Sequence, residues 1–369
     1  MWYGRRPSGG ALCRPGSRRA AFRLLLLSAL ACWFLPIPAG AADGPSAREE
    51  AAPPPGARAT WSLIWENDAF GGTDRNYTNG LRLSYVSPTD PSTTAAPAAR
   101  GGDSLHRRIA GFLLGADAQD VVRYGLAVGH SIFTPEDIDV AGPLPDQHPY
   151  AGLLYGEYSL FAQDDESLRI AALQVGMVGP GAGAEWVQNS VHAVIGSPHA
   201  AGWSHQLHNE PVFALYLERR ERAVLARPLL RQQFDVTPHW GLALGTLRSQ
   251  AKAGITLRYG PDLRNDFGPP RIRPALGGAG YFEAVTGFRW YLFAGADLRA
   301  VARDLVLDGN TFRDSASVSR TPLVADLQAG LVLTYGNTQL AYTFVTRTRE
   351  FASQRSAQQF GSLSLAVKF

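Results

Sequence analysis

The chain ends on a segment that has the period of a strand. In GSLSLAVKF, Gly361–Phe369, the residues Leu363, Leu365, Val367 and Phe369 fall on one face and Ser362, Ser364, Ala366 and Lys368 on the other. Side chains of a strand alternate between two faces, so this segment is apolar on one side and polar on the other. The same alternation recurs upstream. Leu81, Leu83 and Tyr85 alternate with Arg82 and Ser84; Ile255, Leu257 and Tyr259 with Thr256 and Arg258; Leu331, Leu333 and Tyr335 with Val332 and Thr334; and Leu340, Tyr342, Phe344 and Thr346 with Ala341, Thr343, Val345 and Arg347. About twelve such segments start near residues 60, 78, 122, 151, 167, 210, 230, 249, 286, 320, 338 and 360. Several exceed the usual length of a soluble strand and suit a tilted membrane strand of about 9–11 residues.

These features predict an all-β fold: a twelve-stranded antiparallel transmembrane β-barrel, with short helices in its extracellular and periplasmic loops. Apolar-outward, polar-inward alternation is what such a barrel requires. The last segment resembles the closing strand of bacterial outer-membrane barrels, and Phe369 is the expected contact with the barrel assembly machinery. A soluble β-sandwich also alternates, but seldom combines so many long strands with aromatic ends.

The N-terminus reads as an address. Arg5, Arg6, Arg14, Arg18, Arg19 and Arg23 precede an apolar run from Phe22 to Leu35, and Ala39-Gly40-Ala41 forms a small-residue cleavage site. This is signal-peptide grammar. The expected organisation is a signal peptide at 1–41, a flexible Pro-rich leader at 42–59 and the barrel domain at 60–369; an uncleaved anchor helix is the alternative. Removing the presequence takes six arginines and no acid, so 35 basic residues become 29 against 32 acidic and the net charge moves from +3 to −3. The basic character thus belongs to the presequence, and nothing points to nucleic acid. Cys13 and Cys32 leave with it, which excludes disulfide, zinc-thiolate and cysteine-nucleophile chemistry in the mature chain. G-x-S-x-G, H-E-x-x-H, Walker and Rossmann patterns are also absent.

Two segments carry candidate chemistry. In WENDAFGGTDRNYTNGLRL, Trp65–Leu83, a polar knot of Glu66, Asn67, Asp68, Thr73, Asp74, Arg75, Asn76, Thr78 and Asn79 joins two alternating segments. Its oxygen donors suit a hard cation such as calcium; an Asx-rich turn is the plainer reading. The second segment is an insert at 180–208. There AEWVQNSVHAVIG predicts a short helix with Val187, Val191, Val194 and Ile195 on one apolar face and Gln188 and His192 side by side on a neighbouring one. His192 is the acid–base candidate, with Gln188 able to orient its ring. A surface or capping histidine is the plainer reading, and His199, His205 and His208 read as loop residues. A further insert, 88–118, places Leu105, Ile109, Phe112 and Leu113 at helical spacing. It predicts an amphipathic helix over one end of the barrel.

In order, the chain carries END at Glu66–Asp68, DRNYTNG at Asp74–Gly80, GHSIFTP at Gly129–Pro135, PYAG at Pro149–Gly152 and VGP at Val178–Pro180. QNSVHAVIG follows at Gln188–Gly196 and GWSHQLHNEP at Gly202–Pro211. Together these motifs resemble the outer-membrane lipid A 3′-O-deacylase family over nearly the whole mature chain. The resemblance implies a twelve-stranded barrel in the bacterial outer membrane and a lipid A or lipopolysaccharide substrate among outer-membrane lipids. It implies a calcium-dependent esterase that removes the 3′-linked acyl or acyloxyacyl chain. It assigns Asp68 and Asn67 to the metal, His192 to the general base, and Thr78 and Gln188 to catalytic positions. Where the family's characterised member carries a glutamate six residues after the histidine, this chain has Pro198; Glu210 is the nearest substitute acid. A non-enzymatic lipopolysaccharide-binding barrel and an outer-membrane phospholipase are the alternatives.

Overall fold

The alternating segments become thirteen strands, 7 to 17 residues long, among the described residues. The structure is a computed structural model that describes residues 58–72, 75–89, 104–229, 232–273 and 280–369. The expected signal peptide and nearly all of the expected leader lie outside the described residues, as do Thr73 and Asp74 of the polar knot. The strands are β1 (Thr60–Asn67), β2 (Asn76–Val86), β3 (Val121–Thr134), β4 (Ala151–Gln163), β5 (Ser167–Val178), β6 (Glu210–Glu221), β7 (Ala223–Leu229), β8 (Gln232–Gly245), β9 (Arg248–Gly260), β10 (Phe288–Asp304), β11 (Leu323–Tyr335), β12 (Thr338–Arg347) and β13 (Gln358–Lys368).

From β1 to β6 and from β7 to β13, each strand pairs antiparallel with its neighbours in sequence. The sheet closes twice: β1 pairs with β13, from Thr60 opposite Lys368 to Asn67 opposite Gly361, and β6 pairs with β8, from Ala214 opposite Gly245 to Arg220 opposite His239. The short β7 pairs only with one end of β8, as a flap in the β6–β8 connection. The result is the expected closed twelve-stranded barrel plus one hairpin strand. Closure leaves no unpaired edge, which a sheet in lipid requires. No helix among the described residues is long and apolar enough to cross a membrane.

Exposure follows the sequence alternation. Trp61, Leu63, Leu81, Leu83, Leu126, Val128, Leu154, Leu173, Val175, Phe213, Leu242 and Leu244 face outward and are exposed. The lumen holds buried charges in pairs: Lys252–Glu218 at 2.6 Å, Arg82–Glu157 at 2.9 Å, Arg248–Asp304 at 2.9 Å, Arg347–Asp326 at 2.8 Å, and Arg258 with Asp235 and Asp266. A charge removed from water persists only when it is paired and hydrogen-bonded.

The lumen also holds part of the β9–β10 connection, which the strand pattern did not anticipate. Leu263, Phe267, Arg271 and Ile272 are buried. The Ile272 amide donates to Glu66 (3.0 Å), and the Arg273 guanidinium bridges Glu157 of β4 and Glu218 of β6. This connection fills the barrel instead of capping it.

Both termini of the barrel lie at one end, with Phe369 N–H donating to the Ala59 carbonyl. By the general plan of these barrels that end is periplasmic. Helix α1 (Leu105–Leu114) belongs to the periplasmic β2–β3 connection. The polar knot and helix α2 (Ala184–Ile195), between β5 and β6, lie at the opposite, outer rim with the one-turn helix α3 (Leu305–Asp308).

Candidate active site

At the end of β1 the chain enters a one-turn 3-10 helix, Asp68–Gly71. Asn67 caps it: its Oδ1 accepts from the Ala69 amide (2.8 Å) and its Nδ2 donates to Asn79 Oδ1 (3.2 Å). Asp68 is 1% exposed, and its Oδ2 accepts from the Arg75 amide (2.5 Å). Asn76 then takes φ +62°, the left-handed region that asparagine tolerates best among non-glycine residues.

β2 starts with an irregularity. Tyr77 pairs with Phe133 and Asn79 with Ile132, so Thr78 is an extra residue in the ladder. A bulge puts consecutive side chains on one side of the sheet. Here Asn79 accepts from the indole of outward-facing Trp65 (2.9 Å), while Thr78 Oγ1 meets Thr134 Oγ1 of β3 at 2.7 Å. Tyr77 turns inward onto Phe133 and Phe360.

Helix α2 is seated by the short motifs around it. Gly152 of β4 faces its N-terminus: a Cβ there would lie 2.5 Å from the Ala184 Cβ. His130 Nε2–H donates to the Ala182 carbonyl (3.0 Å) in the turn before the helix. Gly202 lets Trp203 tuck beside Tyr150, whose ring a Cβ at 202 would meet at 2.6 Å. Ile132, Ile138, Tyr150, Ala184, Ala200 and Trp203 form one buried cluster under the helix. His148, two residues before Tyr150, stacks on Phe133, and burial pushes its imidazole below the ordinary value.

The buried stripe of α2 is Ala184, Gln188 and His192, at i, i+4 and i+8. Most of the expected apolar face is turned the other way: Val191 is 50% and Val194 86% exposed, with Ile195 also exposed; Val187 alone is half-buried. A soluble helix buries its apolar stripe; this one turns its polar pair to the barrel and the aliphatic residues of its C-terminal half outward, while Val187 packs on the buried cluster.

His192 Nδ1 lies 2.6 Å from the Pro198 carbonyl oxygen. A carbonyl only accepts, so Nδ1 carries a proton, and in the neutral imidazole the lone pair is on Nε2. Gln188 Oε1 accepts from Trp203 Nε1–H (2.9 Å). That bond fixes the amide orientation and leaves Nε2, a buried donor without a protein partner, on the other side. Glu210 is engaged elsewhere: its Oε2 accepts from Asn310 Nδ2 (3.0 Å) and the Thr311 amide (2.8 Å) on the β10–β11 loop.

The structure therefore places the sequence candidates in two groups joined by the outer end of β3. Asn67, Asp68 and Thr78 form the first, and Thr78 reaches β3 through Thr134. Gln188 and His192 form the second, on a helix that reaches β3 through Ile132 and His130. Sequence reasoning missed Thr134, Trp203 and the Pro198 carbonyl as parts of the site. Trp203 had a usable signal, since it lies inside a quoted motif; a main-chain acceptor has none.

Among the described residues, no cluster of three or more histidine, cysteine, aspartate or glutamate side chains is arranged to hold a metal. The knot instead offers one buried carboxylate, an amide oxygen and a hydroxyl. Oxygen donors of this kind suit calcium; in the structure Asn67 Oδ1 accepts from the Ala69 amide and Thr78 Oγ1 meets Thr134.

Comparison with known proteins gives the family. LpxR from Salmonella typhimurium superposes with a TM-score of 0.67 at 17% sequence identity, covering 84% of this chain and 100% of that one. Weaker likenesses are to the beta domain of the Bordetella autotransporter Brka (TM-score 0.39, 11% identity, 85% and 99% covered) and the translocator domain of autotransporter NalP from Neisseria meningitidis (0.35, 10%, 96% and 97%). Among curated proteins no relative matches. The family described as Outer membrane protein LpxR matches residues 24–369. With that match, the closed barrel and its lipid-facing wall, the chain belongs to the LpxR family of the bacterial outer membrane.

Proposed function

We propose that this protein is a lipid A 3′-O-deacylase: a calcium-dependent esterase that releases the ester-linked 3′ acyl or acyloxyacyl chain from the lipid A of lipopolysaccharide. The observation that carries the reading is the position of the Gln188–His192 stripe. It packs at the outer rim on the outward side of β3 and β4, not in the lumen. In the ladder beside it, His130 stands between Leu81 and Leu154, both exposed on the wall. A lipid in the outer leaflet lays its acyl chains along that wall and brings its ester groups to the height of the helix.

The chemistry follows from the hydrogen bonds. His192 Nε2 takes a proton from water, whose oxygen attacks the ester carbonyl carbon. The imidazolium that forms is held through Nδ1–H by the Pro198 carbonyl. The Gln188 amide, oriented by Trp203, donates to the developing oxyanion. As the ester C–O bond breaks, His192 returns the proton to the sugar oxygen. Asp68 and Asn67 would hold calcium, with Thr78 beside them; the chemistry such an ion supplies is polarisation of the ester carbonyl.

The test is the lipid A mass spectrum of cells expressing the wild type, Asp68→Ala and His192→Ala. Loss of the 3′ acyl group with the wild type alone supports the reading, and abolition by chelator with rescue by calcium supports the metal. Unchanged lipid A with the wild type defeats it. Fatty acid released from phospholipid vesicles but not from lipopolysaccharide would make it a phospholipase instead.

A further inference from the structure

Helix α1 is built the wrong way round for a lid on the barrel. Ser104 caps its start by accepting from the Arg107 amide (3.3 Å), and Gly115, at φ +63°, ends it. The face turned to the protein is His106 and Ala110, one turn apart. The His106 ring stacks on Tyr124 of β3, with centroids 4.5 Å apart and planes 12° from parallel, and reaches Tyr158 of β4 at 6.3 Å. Ala110 is fully buried. The far end is tied down by Arg169 of β5, which donates to the Leu114 (3.1 Å) and Gly115 (2.8 Å) carbonyls.

Tyr124 and Tyr158 share the outward parity of exposed Leu126, Val128 and Leu154, so α1 lies against the outside of the wall. The rings it covers continue sideways. Trp61 packs edge-on against Tyr85 at 5.3 Å, and Tyr85 faces Tyr124 at 6.2 Å. Trp61, Tyr85, Tyr124 and Tyr158 thus form an aromatic row at the periplasmic end of β1–β4, the kind of girdle that marks the membrane–water interface of a barrel. The face of α1 turned away from the protein is apolar: Leu105 is 67% and Phe112 88% exposed, Leu113 is also exposed, and Ile109 is half-buried between them.

We infer that α1 is a membrane-plane helix, whose Leu105–Ile109–Phe112–Leu113 face lies among the phospholipids of the periplasmic leaflet. Its apolar face continues the lipid-contacting wall at the depth of the aromatic row, and no other part of the described chain covers it. The occupant is phospholipid rather than a second copy of the chain, because a stripe of four side chains on a ten-residue helix is far smaller than a stable protein interface. Amphipathic helices of this kind bury their apolar face a few ångströms into the acyl region. The outer rim thus holds the candidate site in one leaflet while α1 holds the barrel in the other.

Depth measurement by spin labelling tests this. In the full chain carrying Cys13→Ser and Cys32→Ser, a nitroxide is placed through Phe112→Cys, and separately through Leu105→Cys. The barrels are refolded into vesicles of phosphatidylethanolamine and phosphatidylglycerol, and only heat-modifiable protein is used. Labels at Leu126→Cys on the wall and Asp117→Cys in the following turn set the lipid and water references. The expected result is a ratio of oxygen to nickel-chelate collisions at 112 and 105 several-fold above that at 117 and near that at 126. A water-like ratio at both positions overturns the inference. So does dipolar broadening that disappears on dilution with unlabelled protein, which would put a second copy on the face.

Discussion

A main-chain carbonyl holds His192, and this changes what substitutions at two positions can do. The acceptor for Nδ1–H is the oxygen of Pro198, so the acceptor does not depend on the side chain at 198. Pro198→Ala should therefore retain deacylation within about twofold of wild type, measured as the initial rate of acyl release; His192→Ala should reduce it by about 10²–10⁴, the usual worth of a general base. Trp203 is the more sensitive partner. Trp203→Phe keeps an aromatic ring but removes the N–H that orients Gln188. One buried acceptor is left unsatisfied, at a cost of about 1–3 kcal/mol, and kcat should fall about tenfold with KM little changed. An unchanged kcat per folded enzyme, with lowered stability, would make the indole bond structural only. At this scale the sequence was partly legible. Asn67, Asp68, Thr78, Gln188 and His192 all stood in motifs, and the structure gathers them at one rim. Thr134 stayed hidden because a register irregularity, invisible in residue type, is what brings Thr78 to it.

Elements were legible where one period dominated. The strand starts read from alternation lie within a few residues of those found, because a wall with lipid on one side and charge on the other leaves most outward positions apolar. The helices were legible as helices but not in their facing. A helix on the outside of a membrane barrel has lipid, not protein, beside its free surface, so an exposed apolar face carries no penalty there. The seat of α2 makes a prediction at this scale. Gly152→Val puts side-chain atoms where the Ala184 Cβ lies, within 2.5 Å of the added Cβ. The helix must lift, while the β4 ladder has no reason to change. Heat-modifiability should therefore persist as lipid A deacylation is lost and the 179–209 segment becomes susceptible to limited proteolysis. Loss of heat-modifiability would show instead that the contact stabilises the barrel.

For the whole molecule, the filled lumen is the feature least visible in sequence. The β9–β10 connection reads as a polar, Pro- and Gly-containing loop, and nothing in local pattern says that Arg271 and Arg273 turn inward. Only the excess of buried acids on distant strands, Glu66, Glu157 and Glu218, required basic partners. In planar bilayers the purified protein should show no porin-like conductance. Arg273→Ala leaves Glu157 and Glu218 without a shared cation, although Arg82 and Lys252 still pair with them. Breaking a buried pair costs about 3–5 kcal/mol, so the midpoint of urea unfolding should fall and brief conducting events should appear. A silent, fully stable variant would show that the connection is held by packing alone.

A site on the outward wall also fixes how substrate arrives. The proposed lipid A substrate would reach His192 by sliding sideways within a sheet of its own kind rather than through bulk water. Turnover in mixed micelles should therefore track the mole fraction of lipopolysaccharide at the surface and fall when inert detergent dilutes it, even with the amount per volume held constant.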